Sequence, residues 1–109
     1  MRRGDIYYIK VPLDVMGSEQ GGNRPGIVVS NDIGNRHASV VEVVYLTGVH
    51  KKKHLPTHVR IRSSPHSSTA LCEQVYTVHK ERLGRYMGHI NHAEQTEIDW
   101  ALHISLGLE

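Results

Sequence analysis

Residues Val40-Val41-Glu42-Val43-Val44-Tyr45-Leu46 carry an apolar side chain at every position but one, most of them β-branched. Branching at Cβ restricts the helical rotamers, and apolar groups on both sides of a strand require cover on both faces. This stretch therefore reads as a buried strand, and a buried strand needs partners. Four other segments provide them. Asp5 to Val11 alternates apolar and polar residues until Pro12 ends it, and Gly26 to Ser30 is short and β-prone. Thr57 to Ile61 alternates again, and Thr69 to Val78 is a further strand. Asn31-Asp32-Ile33-Gly34-Asn35 has turn chemistry. With no helix expected among the first four strands, the pattern predicts an antiparallel curled sheet or small barrel. The absence of Phe leaves Val, Ile and Leu to build the core, which favours the same β-rich answer.

Two helices are expected near the end of the chain. Lys80 to Tyr86 is a short one. The last is marked by a capping box, with Asn91 at the cap and Glu94 three residues on. Ile98, Ala101, Leu102 and Leu106 then fall on one face at helical spacing. Gly107 stops this helix, and Leu108 is placed for the apolar contact that accompanies such a stop. Trp100 and Ile104 lie off the stripe, where they either widen the buried face or touch another chain; the first is the expectation.

A chain of 109 residues makes one domain, residues 1–109. Its 39% hydrophobic content fills only a thin core, so burial of further surface in a dimer is expected. Cys72, the one cysteine, sits in an apolar run and reads as a buried thiol, which fits a reducing compartment. There is no apolar leader after Met1 and no long apolar run, so a cytoplasmic protein without a membrane span is expected. Charge is unevenly placed. His50 to Arg62 carries Lys51, Lys52, Lys53, Arg60 and Arg62 with no acid, while Ala93 to Glu109 carries Glu94, Glu97, Asp99 and Glu109 with no Lys or Arg. A basic patch apart from an acidic helix suits a polyanion-binding surface, although a solvated lysine loop fits equally well.

The polar loop Gly17-Ser18-Glu19-Gln20-Gly21-Gly22-Asn23 has almost nothing to bury, and loops of this kind are more often functional than idle. It ends in Arg24-Pro25. The proline biases Arg24 towards an extended backbone, and Gly21 and Gly22 leave room for a ligand. Arg24 is thus a placed cation at the mouth of a strand, or else a surface arginine in an ion pair. Thr47, at the end of the central strand, offers a hydroxyl to an anion that Arg24 also reaches if the two strands are neighbours. The nine histidines do not make a metal site: Lys51 to Lys53 would repel a divalent ion between His50, His54 and His58, and Pro56 breaks any aligning helix. No metal or other cofactor is expected.

Several stretches in order along nearly the whole chain resemble the MazF/PemK ribonuclease toxins of toxin–antitoxin pairs. They are Arg3-Gly4-Asp5-Ile6-Tyr7, the loop from Gly17 through Arg24-Pro25, Ser30-Asn31-Asp32, Leu46-Thr47, Leu55-Pro56-Thr57-His58-Val59, Cys72-Glu73-Gln74-Val75 with Thr77, and Lys80-Glu81-Arg82-Leu83. The resemblance implies an SH3-like small barrel of the CcdB/PemK kind, mainly β, with a C-terminal α-helix. It also implies a homodimer and a cognate antitoxin whose acidic, disordered tail fills the RNA groove. The implied activity is metal-independent, sequence-selective cutting of single-stranded RNA. The ribose 2′-hydroxyl attacks, leaving a cyclic phosphate and a 5′-hydroxyl.

On this resemblance Arg24 and Thr47 are the catalytic candidates. Ser18, Glu19, Gln20, Gly21, Asn31, Gln74 and Tyr76 are the candidates for RNA contact. Some branches of the family use an aspartate after the basic loop, where this chain reads His66-Ser67-Ser68-Thr69. That role does not transfer, and His66 or His58 would be the substitutes. Tyr76 stands where relatives often carry arginine, and His79 where an acid is common, so a relative's target sequence does not transfer either. Two alternatives share the barrel: a non-catalytic module that binds nucleic acid or protein, and a gyrase-inhibiting toxin of related fold.

Overall fold

The computed structural model describes residues 1–11, 22–48 and 55–108. Six strands form one sheet: β1 (Asp5–Val11), β2 (Gly22–Val28), β3 (Val40–Thr47), β4 (His58–Ile61), β5 (Ser68–His79) and β6 (Leu83–His89), in the order β4-β5-β3-β2-β1-β6. Every neighbouring pair is antiparallel. Helix α1 (Asp32–His37) links β2 to β3, and α2 (His92–Leu106) closes the chain. The sheet is curled and open between β4 and β6.

Strand alternation divides the interior into two cores. Ile6, Ile27, Val44, Leu46, Val59, Ile61, Ala70 and Cys72 pack under Ile98, Ala101 and Leu102 of α2. Ile9, Val28, Val41, Val43, Tyr45 and Val78 form the second core on the opposite face, with Tyr7, Tyr76 and Leu83 packed against it. A single 3-10 turn, Lys80–Arg82, brings the chain from β5 to β6 and delivers Leu83 to this second core.

The Arg3-Gly4-Asp5 opening ties these parts together. Buried Asp5 accepts from the Arg2 backbone N–H at 2.7 Å and lies 2.8 Å from Nδ1 of His89. Arg3 donates to the Val29 carbonyl and to Asp99 of α2, both at 2.7 Å. Gly4 has φ of 97°, and a Cβ there would meet the Gln95 side chain at 2.8 Å.

The structure corrects four local expectations. Asn31 to Asn35 is not merely a turn: the Asn31 side chain accepts from the Gly34 N–H at 2.7 Å and caps α1, so a short helix does separate early strands. Lys80 to Tyr86 is not a helix. Only Lys80–Arg82 turns, and the rest is β6, because Gly84 and Gly88 weaken a helix while the β1 edge offers backbone partners. Gly88, with φ of 137°, has a backbone conformation that side-chain-bearing residues rarely adopt. Strand β2 begins at Gly22 and runs through Arg24-Pro25. Proline is tolerated because pairing with β3 begins only at Gly26. On α2, Ile98, Ala101 and Leu102 are buried as expected, but Leu106 is exposed. Trp100 is also exposed and does not widen the buried face; its ring stacks on His103, 5.5 Å away. Ile104 stays at the surface with it.

The end signals of α2 hold. Asn91 and Glu94 exchange the two bonds of a capping box at 2.8 and 2.9 Å. Gly107 is left-handed with φ of 65°, and the Leu108 N–H reaches the His103 carbonyl at 3.0 Å.

Candidate active site

Arg24 lies on β2 opposite Ile9 of β1, which points into the second core. Its side chain is half-buried, and the guanidinium lies 5.2 Å from the centre of the Tyr45 ring. Gly26, paired with Tyr45, packs closely here: a Cβ on it would stand 2.6 Å from Ile9 Cδ1 and 3.2 Å from the Val44 carbonyl oxygen. Tyr45 in turn packs against Tyr76, with ring centres 5.1 Å apart. The Tyr76 hydroxyl donates to Oε1 of Gln74 at 3.4 Å. Burial raises the Tyr45 hydroxyl pKa, and the positive charges of Arg24 and Arg82 work against that rise. No carboxylate of the described residues forms an ion pair with Arg24.

Thr47 joins this site through strand register. Gly26 pairs with Tyr45 across β2 and β3, and Thr47, two residues beyond Tyr45, projects from the same face of β3 as the ring beneath Arg24. Thr47 pairs with Thr69 of β5, and Thr69 with Arg60 of β4. Directly opposed residues share a face, so Thr47, Thr69 and Arg60 form one cross-strand row. Leu46, Ala70 and Val59 beside them point the other way, into the core under α2. At about 4.8 Å per strand the row spans roughly 10 Å from Thr47 to Arg60.

His58 neighbours this row, two residues before Arg60. Its Nε2 is 3.0 Å from Glu73 Oε2, and Glu73 Oε1 accepts from the Thr57 hydroxyl at 2.9 Å. Burial pushes the Glu73 carboxyl up, but the bonds from His58, its own backbone and Thr57 outweigh it, leaving the group below the usual range. His66 is exposed on the β4–β5 connection.

The structure thus brings Arg24, Thr47, Tyr76 and Gln74 to one face. Asn31 stands apart from them, past the far end of β2, with its carbonyl oxygen used to cap α1. Ser18, Glu19, Gln20 and Gly21 lie outside the described residues, as do Lys51, Lys52 and Lys53. Tyr45, the platform for Arg24, was missed as a functional residue in the sequence; its alternation with Thr47 on β3 was the available signal. Nothing local announces the His58–Glu73 pair, which are 15 residues apart. Among the described residues no three His, Cys, Asp or Glu side chains converge as metal ligands.

Fold and site together define a small curled-sheet domain that presents a half-buried cation, strand-end hydroxyls and stacked tyrosines on one face. Residues 2–106 match the PemK-like, MazF-like toxin family of type II toxin–antitoxin systems, and the chain belongs to that family. It is 40% identical to the endoribonuclease MazF of Staphylococcus saprophyticus, over 99% of this chain and 92% of that one. A mycobacterial endoribonuclease in complex with its cognate antitoxin superposes with a TM-score of 0.83 at 31% identity, covering 100% of this chain and 97% of that one. A further solved structure, of an endoribonuclease from a mycobacterial species, gives a TM-score of 0.81 at 30% identity, covering 98% of this chain and 91% of that one. The chain is a MazF endoribonuclease homologue with the barrel-like fold expected from its sequence, and this relationship favours the nuclease over the non-catalytic module and the gyrase inhibitor.

Proposed function

We propose that the protein cuts single-stranded RNA at short sequence motifs, with Arg24 and Thr47 acting on the scissile phosphate and no metal taking part. The observation that carries this reading is the half-buried Arg24 guanidinium on the Tyr45 ring, free of carboxylate partners among the described residues, with Thr47 two residues beyond that ring on the same face of β3. The substrate brings its own nucleophile. The 2′-oxygen forms a bond to phosphorus while the bond to the 5′-oxygen breaks; the 2′-hydroxyl gives up its proton and the departing oxygen gains one. Negative charge gathers on the phosphoryl oxygens, where the planar fork of Arg24 offers two donors at once. The Thr47 hydroxyl adds another. Preorganised donors of this kind are worth roughly 10²- to 10³-fold each. The guanidinium is a donor with no acceptor lone pair, so Arg24 is suited to stabilise charge and to donate a proton to the leaving oxygen rather than to act as base.

Tyr76 and Gln74 are the base-reading groups that share Arg24's face, and stacking on Tyr76 is sequence-tolerant while Gln74 can read a base edge. Ser18, Glu19, Gln20 and Gly21 belong to the same proposal from the loop before Arg24, and Asn31 would contribute through its amide nitrogen. A homodimer, a cytoplasmic setting and neutralisation by a cognate antitoxin with an acidic tail complete the reading. The antitoxin is supported by the mycobacterial relative in complex with its own. No helix of the described residues is long and apolar enough to cross a membrane.

The test is incubation of the purified protein with a long single-stranded RNA in chelator. Discrete fragments ending in cyclic phosphate are expected from the unaltered protein and none from Arg24→Ala. Undiminished cutting by that variant would remove Arg24 from the site.

A further inference from the structure

Next to Arg24, on the other face of β2, Asn23 borders a cleft of about 510 Å³ between β1 and the start of β6. This volume is in the range of small-molecule sites. Lys10, Arg82 and Arg85 line it against one carboxylate, Glu81, an excess of two positive charges. Among the described residues none of these three cations has a carboxylate within ion-pair distance.

The cleft is shaped by an irregularity in the sheet. Leu83 faces Ile9 and Tyr86 faces Tyr7, so Gly84 and Arg85 together oppose Tyr8 alone. Such a bulge re-aims a side chain, and here Arg85 lies over the Tyr8 ring, 5.4 Å from its centre. Gly84 makes the close approach: a Cβ there would stand 3.2 Å from the Tyr8 carbonyl oxygen. Arg82 links the cleft to the active site, since it lines the cleft while its charge acts on the hydroxyl of Tyr45, on which Arg24 rests. Arg82 thus carries positive charge both towards Tyr45 and into the cleft, where the Arg85 guanidinium lies over the Tyr8 ring.

We infer that this cleft is a second RNA subsite, in which Lys10 and Arg85 bind phosphodiesters of the strand beyond the cut and the Arg85–Tyr8 pair supports a base. This rests on the nuclease reading above. Uncompensated cations beside a stacking surface are the usual means of holding a single strand without reading its sequence. An acidic peptide would use the charges but not the flat surface, so RNA is the better occupant. The consequence is a substrate-length dependence: RNA long enough to reach the cleft binds more tightly than the cut motif alone.

The test uses 2′-O-methyl RNA, which cannot be cut because its 2′-oxygen carries no proton, in a short form of about 5 nucleotides and a long one of about 15. Binding is measured across salt concentrations for the unaltered protein and for Lys10→Ala/Arg85→Ala. Each phosphate contact contributes about 0.7 to the slope of log affinity against log salt on a single strand. The double variant is therefore expected to lower that slope by about 1.4 for the long probe and to weaken its binding about tenfold at low salt. Binding of the short probe is expected to stay within about twofold, because it does not reach the cleft. An unchanged slope for the long probe, or equal losses for both probes, would overturn the subsite. So would loss of binding to polyglutamate with RNA binding intact, which would assign the cleft to a protein partner. Lys10→Gln/Arg85→Gln keeps most of each stem's packing and repeats the measurement if the alanine variant folds poorly. Because the probes are uncuttable, the outcome is independent of the cleavage assay: failure to cut RNA in chelator removes the nuclease reading, whereas an unchanged slope removes only the cleft.

Discussion

The guanidinium of Arg24 rests on the ring of Tyr45, two positions before Thr47 on the neighbouring strand. One aromatic side chain thereby fixes where the cation stands relative to the hydroxyl. Because the ring is buried in the second core and backed by Tyr76, Arg24 has a rigid support.

That support should be separable from the chemistry. Tyr45→Phe keeps the ring and is expected to retain cleavage within about threefold, whereas Tyr45→Leu loses the cation–π contact. Such a contact is worth roughly 0.5–2 kcal/mol, so the leucine variant is expected to cut roughly 2- to 30-fold more slowly. Single-turnover rates on one mapped RNA would decide, and equal rates for the two variants would show that the ring positions nothing.

Ile98 is fully buried between α2 and the sheet, while Trp100 on the same helix is 60% exposed. Ile98→Ala should cost roughly 2–5 kcal/mol in urea unfolding. Trp100→Ala should shift stability by no more than about 0.5 kcal/mol despite losing a larger side chain. A large cost at Trp100 would mean that the free surface of α2 is covered in solution.

Glu94 governs acid stability. Burial raises its carboxyl, but bonds from the Ser63 hydroxyl and the Asn91, Arg62 and Ser63 backbone N–H groups prevail and hold it below the usual range. A folded pKa below the unfolded one, about 4.3, means that the unfolded chain takes up the proton first. The contribution is therefore complete above that unfolded value and drains away as pH falls through the folded one. Glu94→Gln should be less stable at neutral pH and should show a flatter decline on acidification. Parallel acid limbs for the two proteins would exclude Glu94 as the source.

Cys72 has no exposed surface, and burial followed by the nearby Glu73 charge pushes its thiol up to about 12. Native protein should resist alkylation by iodoacetamide at neutral pH, and unfolded protein should react readily. Fast modification of the folded state would show that β5 opens locally.

What could be read along the chain was whatever depends on near neighbours. The β-branched run of β3 forbids most alternatives to a strand, and the Asn91–Glu94 box and Gly107 stop bound α2 by hydrogen bonds spanning three to five residues. The same short-range reasoning failed at Leu83–His89, where backbone partners come from β1, more than seventy residues earlier in the chain. It failed again at Leu106, whose helical spacing is right but which lies where the sheet no longer covers α2.

The residue types of the site were equally legible: Arg24 before a proline, Thr47 at a strand end, Gln74 and Tyr76 on the next strand. Which of them share a face was not, because that depends on the register between strands, and a shift of one residue would turn every side chain over. The pairings Thr47–Thr69 and Thr69–Arg60 set Thr47 and Arg60 in one row, Tyr45 on the same face of β3 carries Arg24, and the bulge opposite Tyr8 turns Arg85 onto the rim of a cationic cleft. The sequence alone determined a β-rich chain with one capped helix and a cation after a glycine-rich loop, since local backbone preferences and hydrogen bonds are encoded locally. Only the tertiary structure decided what that cation stands beside, since strand pairing joins residues that the chain itself keeps far apart.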